Sequence, residues 1–273
     1  MASIGQIIFY SMVSLIVLFA TFIILIVALA FSKPALELMS SNTNPVANLG
    51  EDQLLSCYLP REAQTDGLRD VTVAWMKEEL RVYLYENGAP ALGAQGSQFR
   101  GRTQLFPDAL SAGNGSLLLR SVRSSDEGQY TCSISSSAGQ RKVKIQLRTA
   151  AFSAPTFTFS KGILTAEASR WFPEPSVTWL DRSENVLNAS TRFTTNSAGI
   201  LSITSILRSA NVSESYSCRV ENNLVTAVAE ATVTGAGVSG RTYFTFNVAS
   251  SPLVSIYVNI ISSVLCIYYV TPT

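Results

Sequence analysis

Four cysteines and no histidine set the limits of the chemistry open to this chain. Without an imidazole, the usual neutral-pH general base, the His-containing triads and the His metal sites are all excluded. No G-x-S-x-G, phosphate-binding loop or metal-spaced ligand cluster takes their place, and the adjacent acids Glu78 and Glu79 read as solvated turn residues. Thiol oxidation remains. Cys57 and Cys132 flank Trp75, and Cys132 ends the run Asp126-Glu127-Gly128-Gln129-Tyr130-Thr131-Cys132. On an antiparallel strand Tyr130 and Cys132 point to one face, so the thiol can cross a core towards Cys57 while the tyrosine hydroxyl reaches back to the preceding turn. Trp75 then covers the bridge. Closing so long a loop is worth about 4–5 kcal/mol by chain entropy, which makes the bridge structural. Asp126 is expected to pair with Arg102 at the base of the same unit, again in a structural role.

The elements that must position these residues are strands. Val71, Val73 and Trp75 alternate with Thr72, Ala74 and Met76, and Val143, Ile145 and Leu147 alternate with Lys142, Lys144 and Gln146. A period of two with one polar face is the mark of half-buried antiparallel strands, and many such strands without helices predict a sandwich. The Cys–Trp–Cys arrangement is that of an immunoglobulin domain, and the long Cys57–Cys132 interval leaves room for the extra strands of a variable-type domain. A second unit begins near Phe152, with Trp179 on a short strand and Tyr216-Ser217-Cys218 repeating the Tyr-x-Cys pattern. It has the length of a constant-type domain, but Ala166 stands where its first cysteine would be. Cys218 is therefore either a buried free thiol or one half of an intermolecular disulfide. The fold class is all-β, a tandem of immunoglobulin-like sandwiches, variable-type over 31–149 and constant-type over 150–234.

The two ends differ from this middle. Every one of the 20 basic and 19 acidic residues lies between Lys33 and Arg241. That balance offers no basic excess to release counterions from nucleic acid. Residues 7–31 are apolar over a length that spans a bilayer, and Ala28-Leu29-Ala30 has the small-x-small pattern of a cleavage site, so 1–30 is a signal peptide or a retained anchor. Residues 253–270 form a second apolar run with no basic flank, which reads as a lipid-anchor signal or a transmembrane helix within 253–273. Between them 235–252 is expected to be a linker. Its Gly235-Ala236-Gly237-Val238-Ser239-Gly240 is formally G-x-G-x-x-G, yet no acid follows for a ribose, so a nucleotide site is rejected. No cofactor and no small-molecule substrate is expected.

Three sequons, at Asn114, Asn188 and Asn211, fall in turn-like positions of the middle region. Phe99-Arg100-Gly101-Arg102-Thr103 ahead of the D-E-G-Q-Y-T-C run, followed by Arg170-Trp171-Phe172-Pro173-Glu174-Pro175, resembles the B-seven/butyrophilin family of immune co-signalling ligands. The resemblance runs to about residue 234 and departs at Ala166, where the family has cysteine. It implies a ligand on the extracellular side of the cell membrane that binds a receptor on activated T cells and restrains their activation. The inhibitory sign comes from the resemblance alone.

A ligand of this kind works through a surface. The outward side of the front sheet is expected to carry Ala74 and Met76, Tyr83 or Tyr85, Thr131 and Ser133, and Lys142 and Lys144, with Arg141 in the adjoining turn. Tyr83 and Tyr85 have a competing role in completing the core. The alternative function is a homophilic adhesion or structural immunoglobulin protein, which shares every one of these signals.

Overall fold

The β-branched and aromatic residues that alternate through the middle of the chain pair into four sheets, which pack as two sandwiches. The structure is a computed structural model and describes residues 4–31, 37–60, 71–136, 139–208, 210–235 and 237–247. Helix α1 (Ile4–Phe31) comes first; it is long and apolar enough to cross a membrane, and its described side chains are exposed.

The first sandwich contains β1 (Val46–Asn48), β2 (Gln53–Leu55), β3 (Thr72–Lys77), β4 (Leu80–Glu86), β5 (Ala89–Pro90), β6 (Thr103–Leu105), β7 (Leu117–Leu119), β8 (Gly128–Ser136) and β9 (Gly139–Ala150). Its front sheet has the order β1-β9-β8-β3-β4-β5, and its back sheet β2-β7-β6. Cys57 and Cys132 are joined across the two sheets. Trp75 lies opposite Cys132 in the β3–β8 register, fully buried, and its Nε1 donates to the Gly115 carbonyl at 2.9 Å.

The second sandwich follows with β10 (Thr156–Ser160), β11 (Ile163–Trp171), β12 (Ser176–Leu180), β13 (Val186–Leu187), β14 (Ala189–Thr195), β15 (Leu201–Arg208), β16 (Ser215–Glu221), β17 (Val225–Thr234) and β18 (Gly237–Phe246). One sheet has the order β10-β11-β15-β14 and the other β13-β12-β16-β17-β18. No bridge ties them. Ala166 and Cys218 are both buried in the common core, where Phe157 meets Trp179 edge-on at 6.1 Å and the Trp179 Nε1 donates to Ser205 Oγ at 2.8 Å. Trp171 adds a second buried indole, held to the Ser153 carbonyl at 3.2 Å.

Strand β18 corrects the sequence reading of 235–252 as a linker. Residues 237–246 pair with β17 from Val225↔Phe246 to Thr234↔Gly237. The physical reason is a second period of two: Val238 and Phe244 turn into the core, while Arg241 and Tyr243 turn out. Gly240 is needed there, because a Cβ would lie 3.0 Å from the Phe157 ring. The glycines that suggested flexibility thus form a hairpin turn and a point of close approach.

The two domains meet through short polar contacts. Asn48 Nδ2 donates to the Phe152 carbonyl at 3.1 Å and Asn48 Oδ1 accepts from the Phe152 amide at 3.2 Å, while the Leu49 amide donates to the Ala150 carbonyl at 2.8 Å. Arg170 also donates to the Leu49 carbonyl.

Candidate interaction face of the first domain

Register decides which side chains share the outer side of the front sheet. The pairs Ser133↔Lys142, Ala74↔Ser133 and Ala74↔Leu84 form one row, and Thr131↔Lys144, Met76↔Thr131 and Met76↔Arg81 the next. Met76, Thr131, Ser133 and Lys142 are therefore brought together as expected, with Ala74 and Lys144 beside them. The middle of the patch is small or apolar, with Ala74, Met76 and Thr131 half-buried and Leu84 and Ser133 buried, whereas Lys142 and Lys144 are exposed. Neither lysine is paired with an acid among the described residues. The margin of the patch is slightly basic, with Arg81, Lys142 and Lys144.

Three expected members are elsewhere. Tyr83 lies opposite Trp75 and is 5% exposed in the core, where burial raises its phenol pKa and the neighbouring Tyr85 adds to the shift. Tyr85 lies opposite the buried Val73 and packs on the same core. With Thr72, Asn87, Pro107 and Leu110 it lines an open recess of about 310 Å³. Arg141 lies opposite the buried Ile134, because β9 already begins at Gly139 and puts Arg141 on the inward-facing row.

The physical reason for the tyrosines is a bulge. The β3–β4 register shifts between Trp75 and Met76, so Val82 and Tyr83 both enter the core, while Leu84, also buried, turns to the outer side of the sheet. Leu84 and Arg81 are the members of the patch that sequence reasoning missed. Val82-Tyr83-Leu84-Tyr85 is apolar throughout, and such a run carries no phase from which the outward residue can be read.

Beneath the patch the structural residues hold the strands in place. Arg102 and Asp126 form a two-pronged ion pair, both contacts 2.8 Å, with the Asp126 side chain fully buried. The hydrogen bond that Arg102 donates to Asp126 raises the guanidinium pKa further, against the effect of burial. Asp126 Oδ2 also accepts from the Arg123 amide at 2.8 Å, and the Tyr130 hydroxyl donates to the Asp126 carbonyl at 2.8 Å. Burial, then the Asp126 charge, pushes the Tyr130 pKa well up, so the hydroxyl stays a donor. In the second domain the Tyr216 hydroxyl accepts from the Asn211 amide at 2.9 Å.

The remaining expected residues sit as follows. Asn188 and Asn211 are exposed, and Asn114 is half-buried with Oδ1 accepting from the Ser116 amide at 3.1 Å. Cys218 is free and fully buried, and desolvation pushes its thiol pKa up to about 12. Cys266 lies outside the described residues. Among the described residues no group of His, Cys, Asp and Glu side chains could hold a metal ion.

Comparison with known proteins agrees with the two-sandwich fold. Residues 40–149 match the immunoglobulin V-set domain, and residues 160–229 match the butyrophilin subfamily 3 member A2-like Ig-C domain. The chain is 34% identical over 267 residues to V-set domain-containing T-cell activation inhibitor 1 of Rattus norvegicus, covering 93% of each protein. It is 33% identical to the protein of that name from Homo sapiens over 254 residues, 89% of each. Among solved structures it is similar to the human B7-H4 IgV-like domain, with 32% identity over 41% of this chain and 96% of that one, at a TM-score of 0.37. Near-complete coverage by a relative at this identity, with one model on each sandwich, places the chain in the B7 and butyrophilin family of immunoglobulin proteins.

Proposed function

We propose that this chain is a membrane-held, non-catalytic ligand whose first domain binds a receptor on activated T cells through the outer side of its front sheet and restrains their activation. The observation that carries the reading is the patch itself, formed by Ala74, Met76, Leu84, Thr131 and Ser133 with Arg81, Lys142 and Lys144 around it. Its largely apolar middle, half-buried at Ala74, Met76 and Thr131, and its polar margin have the anatomy of a protein interface. One sheet face can supply the ~800 Å² per partner of a standard interface, and clustering in a membrane raises avidity for a weak single contact. The inhibitory direction is carried over from the named function of the relatives.

In this reading residues 1–30 direct the chain to the secretory route, and the apolar run 253–270 stays on the chain and holds it in the cell membrane. The exposed side chains of Asn188 and Asn211 are then open to glycans. The reading is tested with cells displaying the full chain. Activated T cells, but not resting ones, are expected to bind them and to proliferate less. Aggregation of the displaying cells with one another, and no T-cell binding, would instead identify a homophilic adhesion protein.

A further inference from the structure

A domain that stood on the β17–β18 turn would need the chain to leave from that turn. It does not. Strand β18 runs back along the full length of β17, so at ~3.3 Å per residue the chain travels about 30 Å towards the first domain before it leaves the second. There it is clamped. The Asn247 amide donates to the Leu224 carbonyl at 2.9 Å and Asn247 Nδ2 to the Asn222 carbonyl at 3.2 Å. Asn222 in turn bonds the Leu224 and Val225 amides and the Pro173 carbonyl, each at 2.9 Å. Phe244 and Phe246 pack on Phe152 with ring centres 5.3 and 5.6 Å apart, and Phe152 is the residue that Asn48 of the first domain holds.

We propose that the chain is held to the bilayer by the domain-junction end of its second domain, with the β18 side turned to the lipid surface. The proposal rests on the reading above that the run 253–270 stays on the chain as its membrane segment. Only residues 248–252 separate Asn247 from that run, and fully extended they reach about 20 Å. A domain standing on its far end would lift Asn247 about 30 Å above the bilayer, beyond that reach. The surface chemistry fits. Strand β18 carries no acid, and Tyr243 and Phe246 are about half exposed. Arg241 stacks over the Tyr243 ring at 5.8 Å with its charge paired to Glu230 at 3.0 Å, and arginine and tyrosine both suit the headgroup layer. Lipid attachment within Gly235–Gly240 would instead remove most or all of β18, and with it the packing of Phe244 on Phe152.

The experiment places a fluorophore at one exposed end or the other of the second domain, as Asn223→Cys or Thr234→Cys, in full-length Cys266→Ser protein reconstituted into phosphatidylcholine vesicles that carry headgroup nitroxides. Buried Cys218 is not labelled in the native protein. The label at position 223 is expected to lose most of its fluorescence and the label at 234 little. A long Gly-Ser insert after Asn247 is expected to abolish the difference. Equal or reversed quenching in chain that remains on the vesicles overturns the orientation alone. Chain that alkaline carbonate washes off the vesicles, or that phosphatidylinositol phospholipase C releases from cells, overturns the membrane-segment reading and the orientation with it.

Discussion

The first domain ties its two sheets with a disulfide and a buried ion pair, whereas the second domain makes a sandwich of the same class with neither. In the first, Cys57–Cys132 spans a sequence separation of 75, and Arg102 and Asp126 neutralise each other out of water. In the second, Ala166 leaves Cys218 unpartnered, and the ion pair Arg241–Glu230 is exposed on both sides and worth little. Its core relies on Trp171, Trp179 and Phe157, on the Ser153 carbonyl and Ser205 hydroxyl that accept from the two indoles, and on the additional strand β18. The comparison teaches that the bridge is one of several ways to close this sandwich. The domain that carries the proposed contact surface is also the one fastened covalently.

Breaking the first domain should therefore have the largest effect. In a two-domain fragment covering residues 37–247, Cys57→Ser with Cys132→Ser is expected to destabilise the first domain by about 4–5 kcal/mol and leave the second unchanged. Reduction of the unaltered fragment should do the same, as two separated calorimetric transitions would reveal. Asp126→Ala leaves the Arg102 charge buried without a partner and releases the Arg123 amide, a loss of about 3–5 kcal/mol confined to the first domain. Chemical denaturation followed by Trp75 fluorescence measures it.

The converse change sharpens the comparison. Ala166→Cys is expected to form a bridge with Cys218 and stabilise the second domain by about 2–4 kcal/mol, shifting its denaturant midpoint under oxidising conditions only. A smaller effect follows from the thiol. Its folded pKa of about 12 stands above the ordinary 9.0, so the folded state keeps the proton that the unfolded state gives up. The stability from this group is complete below pH 9 and falls as the pH rises from 9 to about 12. That slope should be absent in Cys218→Ala. At neutral pH native Cys218 should resist thiol reagents, and the chain should run as a monomer on non-reducing gels through this cysteine.

How much of this was legible before the structure depends on how local each signal is. Asp126, Tyr130 and Cys132 lie in one short run whose spacing fixes their directions, and Trp75 and Arg102 follow from the domain type that the run identifies. The phase of β4 was not legible, because a bulge residue is invisible where every neighbour is apolar. Strand β18 was obscured by Gly235, Gly237 and Gly240, although Tyr243-Phe244-Thr245-Phe246 carries its own alternation. The outer row of Met76, Thr131, Ser133 and Lys142 was legible because Trp75 and Cys132 set the phase of their strands.

The central claim is that this outer row is the contact surface, and one measurement addresses it directly. Cells displaying the full chain with Met76→Asp or Lys142→Glu are compared with the unaltered chain and with Tyr83→Ala for binding to activated T cells at equal surface density. The account predicts binding weakened roughly 30-fold by the charge at position 76, as expected for a central anchor worth ~2 kcal/mol, and less by the reversal at 142, with normal expression of both. Tyr83→Ala should instead lower the amount of chain at the surface, since it empties part of the core. Full binding by both the Met76 and Lys142 variants would contradict the account and move the contact surface to another part of the chain.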